Sequence, residues 1–264
     1  MYSNAKEQVN KEFLYQRISK ARSSRLISNL YSTELVNKAD EIWENGEEFV
    51  FSASENGVKR LFFFVEEISN LDALLKLINS GTYYFEFMTK DEEEIDFKKA
   101  GLISKLKRVA NMDCNSVFDG SSQVIKYRND VNEKLALVDD TREVNEFLWS
   151  TFRPEISHLL SDDELLDKIR KGCVTIHRNN QNKIDAILQA EVMPKRFYIN
   201  QIINKAEKEV IHSILLNRLE KYVTGGGKYL YAWVESDNIA SIRFHEKYGM
   251  KHDGMWNLVY CVNG

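Results

Sequence analysis

The chain has 264 residues, enough for one large domain or two small ones. It is 43% hydrophobic and 29% charged, a balance that excludes disorder as its organising principle. The formal net charge is −4, of which −3 falls on residues 1–130, so neither half carries the basic footprint of a nucleic-acid protein.

Cys114, Cys173 and Cys261 are odd in number and far apart, which fits neither a disulfide framework nor a metal-ligand spacing. The five histidines form no HExxH pattern, so no metal is expected. The first twenty residues lack the apolar segment of a signal peptide. Apolar stretches such as Leu61-Phe62-Phe63-Phe64-Val65 are strand-sized and far below the roughly 20 residues of a membrane span. The expectation is a cytoplasmic protein, monomeric or homodimeric, without membrane or nucleic-acid partners.

In chain order, the apolar periodicity predicts a helix over Leu30–Trp43 and strands at Phe49–Phe51 and Arg60–Val65. A helix over Leu71–Ile78, a strand at Tyr83–Met88, a helix over Glu92–Ala100 and a strand through Leu106 follow. Asp119-Gly120-Ser121-Ser122 and the polar stretch after it read as a linker, giving domains 1–130 and 131–264. The second domain opens with a strand at Leu135–Val138 and a helix carrying Val144, Leu148 and Phe152. Ser161 with Glu164 three residues on forms a capping box that starts the next short helix. Strands at Cys173–His177, Asp185–Met193 and Phe197–Ile203 precede a helix over Glu207–Tyr222. A strand at Tyr229–Val234, a helix over Ile239–Lys247 and a strand at Trp256–Val262 complete an α/β chain with a mixed sheet. Gly225-Gly226-Gly227 follows a helix and precedes a strand, so it reads as a helix stop and not as a phosphate loop.

The first half reads as a looser copy of the second. Phe97-Lys98-Lys99-Ala100-Gly101-Leu102 lines up with His245-Glu246-Lys247-Tyr248-Gly249-Met250, each about fifteen residues after an aromatic strand. Two unrelated α+β halves is the alternative.

The string Asn238-Ile239-Ala240-Ser241-Ile242-Arg243-Phe244-His245-Glu246-Lys247-Tyr248-Gly249-Met250 resembles a segment of the GCN5-related N-acetyltransferases, the GNAT superfamily. Read from the residues alone, it is a helix ending at a C-terminal glycine, with Ile242 and Phe244 as core anchors. The resemblance covers about residues 133–264, and it departs from the superfamily in having His245 where most members have Tyr. It implies a GNAT-like acyl-CoA acyltransferase fold, here in two tandem copies, using acetyl-CoA as co-substrate and a small-molecule amine as acceptor. The first copy, without a counterpart loop, would be a cofactor-free partner.

The resemblance places the pantetheine arm on the edge of strand Asn200–Asn204, at Ile202, Ile203 and Asn204, with a backbone N–H near Ile202 or Ile203 serving the oxyanion. It places the pyrophosphate on the first amides of the following helix, Lys208, Glu209, Val210, Ile211 and His212, where free N–H groups and the dipole favour anions. Asn238 and Ser241 open the last helix beside the cofactor. The loop before Lys208 has no glycine, and Glu207 and Glu209 oppose a pyrophosphate.

Transfer to an amine needs one group to take a proton from nitrogen and another to give one to the leaving thiolate. His245 is the candidate acid, with a hydrogen-bonded structural histidine as the other reading. Glu191 and Glu235 are candidate bases, and Glu191 is equally readable as a solvated strand residue. Trp149, Phe152 and His158 are candidates to line the acceptor site, with Arg153 to hold an acceptor carboxylate; aromatics at this spacing also suit a core. A non-catalytic binding protein on the same fold, and an aminoacyl transferase, are the rival functions.

Overall fold

The computed structural model describes residues 9–119, 122–128 and 133–264, so part of the predicted linker, Gly120, Ser121, Asn129 and Asp130, lies outside the described residues. The chain forms two compact units, one reaching Lys105 and including Trp256–Gly264, the other Leu106–Met255. This division differs from a boundary at residue 130, because the strand that completes each sheet comes from elsewhere in the chain.

The first unit begins with α1 (Lys11–Ser23), capped by the Asn10 side chain accepting from the Phe13 N–H. A two-residue strand β1 (Ile27–Ser28) and a 3₁₀ turn (Thr33–Lys38) follow. Strands β2 (Ala39–Asn45), β3 (Glu48–Glu55) and β4 (Val58–Val65) form an antiparallel meander. Helix α2 (Leu71–Leu75) then crosses to β5 (Thr82–Thr89), parallel to β4. Phe49, Phe51, Phe62 and Phe64 face α1, while Val50, Leu61, Phe63 and Val65 face α2, which explains the unbroken apolar run in β4.

Strand β6 (Ala100–Asn111) and β7 (Glu133–Leu135) lead to α3 (Thr141–Trp149), α4 (Pro154–Ser157) and α5 (Asp162–Arg170). Next come β8 (Val174–Arg178), β9 (Ile184–Met193) and β10 (Arg196–Asn204). Helix α6 (Lys208–Thr224), β11 (Tyr229–Glu235), α7 (Ile239–Glu246) and β12 (Lys251–Asn263) finish the chain. The predicted Ser161–Glu164 capping box forms in full at the start of α5. No helix among the described residues is long and apolar enough to cross a membrane.

The strands of the two units follow one plan. In the second unit β8–β9 and β9–β10 are antiparallel, β10–β11 is parallel across α6, and β11–β6 is antiparallel. In the first unit β2–β3 and β3–β4 are antiparallel, β4–β5 is parallel across α2, and β5–β12 is antiparallel. Strand β5 therefore takes the place of β11. The fifth strand of each repeat is not the next in its own sequence: β12 serves the first and β6 the second.

In the second unit Ala186, Leu188, Phe197, Ile199, Leu230 and Ala232 pack on α6, whose residues Val210–Leu216 are all buried. Ile187, Ile203, Val174 and Ile176 cover the opposite face against α3 and α5.

Two first-half expectations are corrected. Leu30–Trp43 is not a helix but the 3₁₀ turn and β2, because Ile42 and Trp43 pair with Phe51 and Val50 of β3. Glu92–Ala100 is not helical either. Side chains pin it instead: Ile95 N–H donates to the Tyr260 hydroxyl at 3.0 Å and Lys98 N–H to Asp72 at 2.9 Å. Gly101 consequently sits inside β6 and does not end a helix, so it is not the counterpart of Gly249.

Gly249 takes φ +69° after α7, and a Cβ there would lie 2.9 Å from Asn111 Nδ2, which donates to the Tyr248 carbonyl at 2.8 Å. Gly254, at φ +87°, has open space around it. Gly249→Ala should cost about 1–2 kcal/mol for the left-handed backbone, lowering Tm by roughly 2–8 °C. Displacement of Asn111 adds to that, so calorimetry should show Gly249→Ala falling further than Gly254→Ala.

Candidate active site

Strands β10 and β11 begin as partners and then part. Their parallel register runs from Arg196↔Tyr229 to Ile199↔Ala232 and stops there. At that point β10 carries a bulge: its pairing with β9 skips Asn200 and resumes at Gln201↔Gln189, continuing to Asn204↔Ala186. Among the described residues, the β11-facing backbone groups of β10 from Asn200 to Asn204 thus have no strand partner. Buried polar atoms collect on the same stretch without hydrogen-bond partners: Asn200 Oδ1, Gln201 Oε1, Asn204 Oδ1 and, from β9, Gln189 Oε1. Buried groups of this kind normally pair with protein or with ordered water.

The open edge runs directly into the start of α6. Asn204 Nδ2 donates to the carbonyls of Ala206 and Glu207, at 3.4 and 3.2 Å, which fixes the turn without glycine. Glu207 is the N-cap residue and makes no side-chain capping bond, so the first amides of α6 are not capped by its side chain. Lys126 and Lys208 each hold an ammonium 5.2 Å from the centroid of the Tyr127 ring, with Lys247 beside Lys208. The Lys208 ammonium on its hydroxyl, helped by Lys126 and Lys247, holds the Tyr127 phenol below its ordinary value. Under this surface the His212 ring stacks on Tyr127 at 4.5 Å and on Phe244 at 4.8 Å, and its Nδ1 shares a 2.8 Å hydrogen bond with the Tyr248 hydroxyl. Val210, Ile211 and His212 are buried, whereas Lys208 and Glu209 are exposed.

Asn238 caps α7 by accepting from the Ser241 N–H at 3.0 Å. One turn on, His245 is 4% exposed. Its Nδ1 lies 2.7 Å from the Ser241 carbonyl oxygen, which can only accept, so Nδ1 carries the proton. Nε2 is then a buried acceptor, without a hydrogen-bond partner among the described residues. Burial pushes the ring down to about 4 against the pull of the Ser241 carbonyl. At neutral pH the histidine is uncharged and offers a lone pair.

On the opposite face of the sheet the structure brings some predicted residues together and separates others. Arg153 and Glu235 form an ion pair at 2.8 Å, and Glu191 pairs with Lys168 at 2.6 Å. Ile202 packs toward α6 and Ile203 toward α3 and α5. Trp149 is not with Arg153: its indole N–H donates to the Leu160 carbonyl, and it lines a shallow outer hollow with Arg142, Asn145 and Asp162. Phe152 packs against the α3–α5 core. His158 ends α4 in a left-handed conformation, φ +45°. Sequence reasoning missed Gln201, whose Nε2 donates to the Ser157 carbonyl at 3.1 Å and ties α4 to β10. It also missed Tyr198 and Tyr231, stacked at 4.7 Å on the last rung but one before the strands part.

This strand order, the divergence after a bulge and the helix at the end of the open edge decide the architecture. The chain has the GNAT fold. It is similar to a GCN5-related N-acetyltransferase from Sphaerobacter thermophilus, with TM-score 0.57 and 9% identity over 82% of this chain and 76% of that one. It is also similar to a tandem GNAT protein from the clavulanic acid biosynthesis pathway, with TM-score 0.53 and 10% identity over 84% and 82% of the two chains. A GNAT-family acetyltransferase from Colwellia psychrerythraea matches over 98% and 99%, again with TM-score 0.53 and 10% identity. By sequence, no protein-family model and no curated protein matches. At these identities the likeness speaks for the GNAT fold.

His212 and His245 are both held neutral by burial, their values lowered from 6.5 to about 4. Lys247 and Lys208 lower His212 further. Between pH 6.5 and 4 the unfolded chain binds more protons, so stability is complete above 6.5 and is lost as pH falls through that window. Each ring contributes at most about 3 kcal/mol. Urea midpoints measured from pH 7.5 to 4.5 should fall, and His212→Gln should flatten the slope; an unchanged slope would show that His212 is not buried in its neutral form.

Proposed function

We propose that the Leu106–Met255 unit transfers an acetyl or other short acyl group from acyl-CoA to an amine by direct attack, without a covalent enzyme intermediate. The observation that carries this reading is the unpaired β10 edge leading straight to the open start of α6. A pantetheine arm bears amides of the polarity that such an edge pairs with, as an added strand would. Asn200 and Asn204 supply further acceptors for its N–H groups. The pyrophosphate meets the first amides of α6 at Lys208 and Glu209. Lys126, Lys208 and Lys247 supply the charge that a glycine loop supplies through close backbone approach.

For the chemical step, a backbone N–H at Ile202 or Ile203 steadies the tetrahedral oxyanion. Attack gives a protonated amine nitrogen that must lose its proton and a thiolate that must gain one. His245 fits a relay: Nε2 takes the proton from nitrogen and, being a strong acid once charged, passes it to sulfur. Glu235, paired with Arg153, lies on the acceptor side as a base for deprotonating the incoming amine, and Glu191 is the alternative. Arg153 is engaged by Glu235 and is a poorer choice for an acceptor carboxylate. Glu207 and Glu209, exposed at the phosphate end, favour the rival reading of a non-catalytic binding protein.

Titration calorimetry with acetyl-CoA separates the two. The acids beside the lysines should hold the dissociation constant in the micromolar range or weaker, and Lys208→Ala with Lys247→Ala should weaken it about tenfold or more. No binding at millimolar acetyl-CoA would overturn the enzymatic reading. Aminoacyl transfer predicts the same loss.

Thiol release across an amine panel then tests His245. His245→Phe keeps ring volume and removes the relay, so kcat should fall roughly 10²–10⁴-fold with acyl-CoA affinity held. Wild-type turnover in that variant would make His245 a structural residue only.

A further inference from the structure

The first unit repeats the divergence of strands but not the open edge. Strands β4 and β5 share a single parallel register, Arg60↔Tyr84, and then part. Into that gap comes β1, antiparallel to β4 at Ile27↔Val65 and Ser28↔Phe64. Phe64 already pairs with Phe49 of β3 on one side, so β1 occupies the side facing β5. The next residue, Asn29, bridges both strands with its carboxamide. Its Oδ1 accepts from the Phe63 N–H at 2.9 Å, and its Nδ2 donates to the Leu61 carbonyl of β4 at 3.0 Å and the Glu86 carbonyl of β5 at 2.9 Å.

In the second unit, among the described residues, no strand pairs with the corresponding edge of β10 from Asn200 to Asn204. The same divergence is therefore filled by the chain in one unit and left open in the other.

We propose that Ile27–Asn29 is a built-in ligand of the first unit, a strand and carboxamide that permanently occupy the cleft between β4 and β5 and leave the chain one acyl-CoA site. The chemistry of the filler matches that of an amide-bearing arm: one carbonyl acceptor and one N–H₂ donor placed between two backbones that no longer reach each other. The segment is held from both ends. Leu26 N–H closes α1 onto the Ala21 carbonyl at 3.0 Å after Arg25 turns at φ +60°, and the Leu30 N–H bonds the Ser28 hydroxyl at 3.1 Å. The helix that follows β4 adds nothing for an anion, since α2 has only five residues. The proposal rests on the acyl-transfer reading for the identity of the excluded ligand, but the filled cleft itself does not.

Amide hydrogen exchange on the ligand-free full-length protein tests the filled cleft without any substrate. The Phe63 N–H should be protected in the wild type and should exchange about tenfold faster in Asn29→Ala, the worth of one hydrogen bond. If Asn29→Ala does not fold, the wild type decides alone, because an open cleft leaves Phe63 exchanging like an unpaired strand edge. Asn29→Asp adds a check: it keeps the acceptor for Phe63 but sets a carboxylate against two carbonyls, so protection at the Glu86 rung should fall. Acetyl-CoA calorimetry should give one site per chain. Two sites, or an unprotected Phe63 amide in the wild type, would overturn the proposal. Absence of all acetyl-CoA binding with Phe63 protected would refute the acyl-transfer reading and leave the built-in ligand standing.

Discussion

A strand that leaves its partner in mid-course exposes backbone N–H and C=O groups, and each of them, if buried, costs free energy until something pairs with it. Both units of this protein contain such a parting, after Arg60↔Tyr84 in one and after Ile199↔Ala232 in the other. A helix crosses between two parallel strands in each unit, and in the second the bulge at Asn200 shifts the register just as pairing with β11 ends. The units differ in how the exposed edge is satisfied.

In the second unit the edge is continuous with a seventeen-residue helix, so its open backbone groups and the helix N-terminus form one extended polar track. The lysines at its end come from three separate elements. They converge around Tyr127, with the carboxylate of Glu209 beside Lys208. Beneath them, His212 and Tyr248 are fully buried and hydrogen-bonded, which gives the loop a rigid floor in place of glycine's close approach.

Much of the second unit was legible in sequence because its elements are locally consistent. The Ser161 box and the alternation along β10 and β11 follow simple local patterns, and α6 announces itself by its apolar content. The first unit was less so. Leu30–Trp43 carries a helical pattern that pairing with β3 overrides, and the acidic run Asp91–Glu94 leads into a segment held by Tyr260 and Asp72, contacts that no local pattern announces. At the candidate site the helix string around His245 was readable. The bulge at Asn200, the tautomer of His245 and the convergence of Lys126 with Lys208 and Lys247 were not, since each depends on neighbours distant in sequence. Trp149 reads as an acceptor-site residue by its place in the loop between the first two helices, and its indole instead closes onto Leu160.

The unequal fate of the two clefts has a thermodynamic reading. An extended amide-bearing ligand gains from an open edge because it supplies hydrogen bonds that the protein otherwise lacks. At the edge closed by Asn29 it would only exchange with bonds already made, each of about 1 kcal/mol net, and the chain's own segment competes as an intramolecular partner at high effective concentration. Such a ligand then has only its phosphates to offer, and α2, at five residues, offers little in return. Filling the first cleft costs the protein a binding site, but it removes the unpaired edge and ties β4 to β5 through a single side chain. A unit without ligand can thereby keep the strand order of one that is built to hold it.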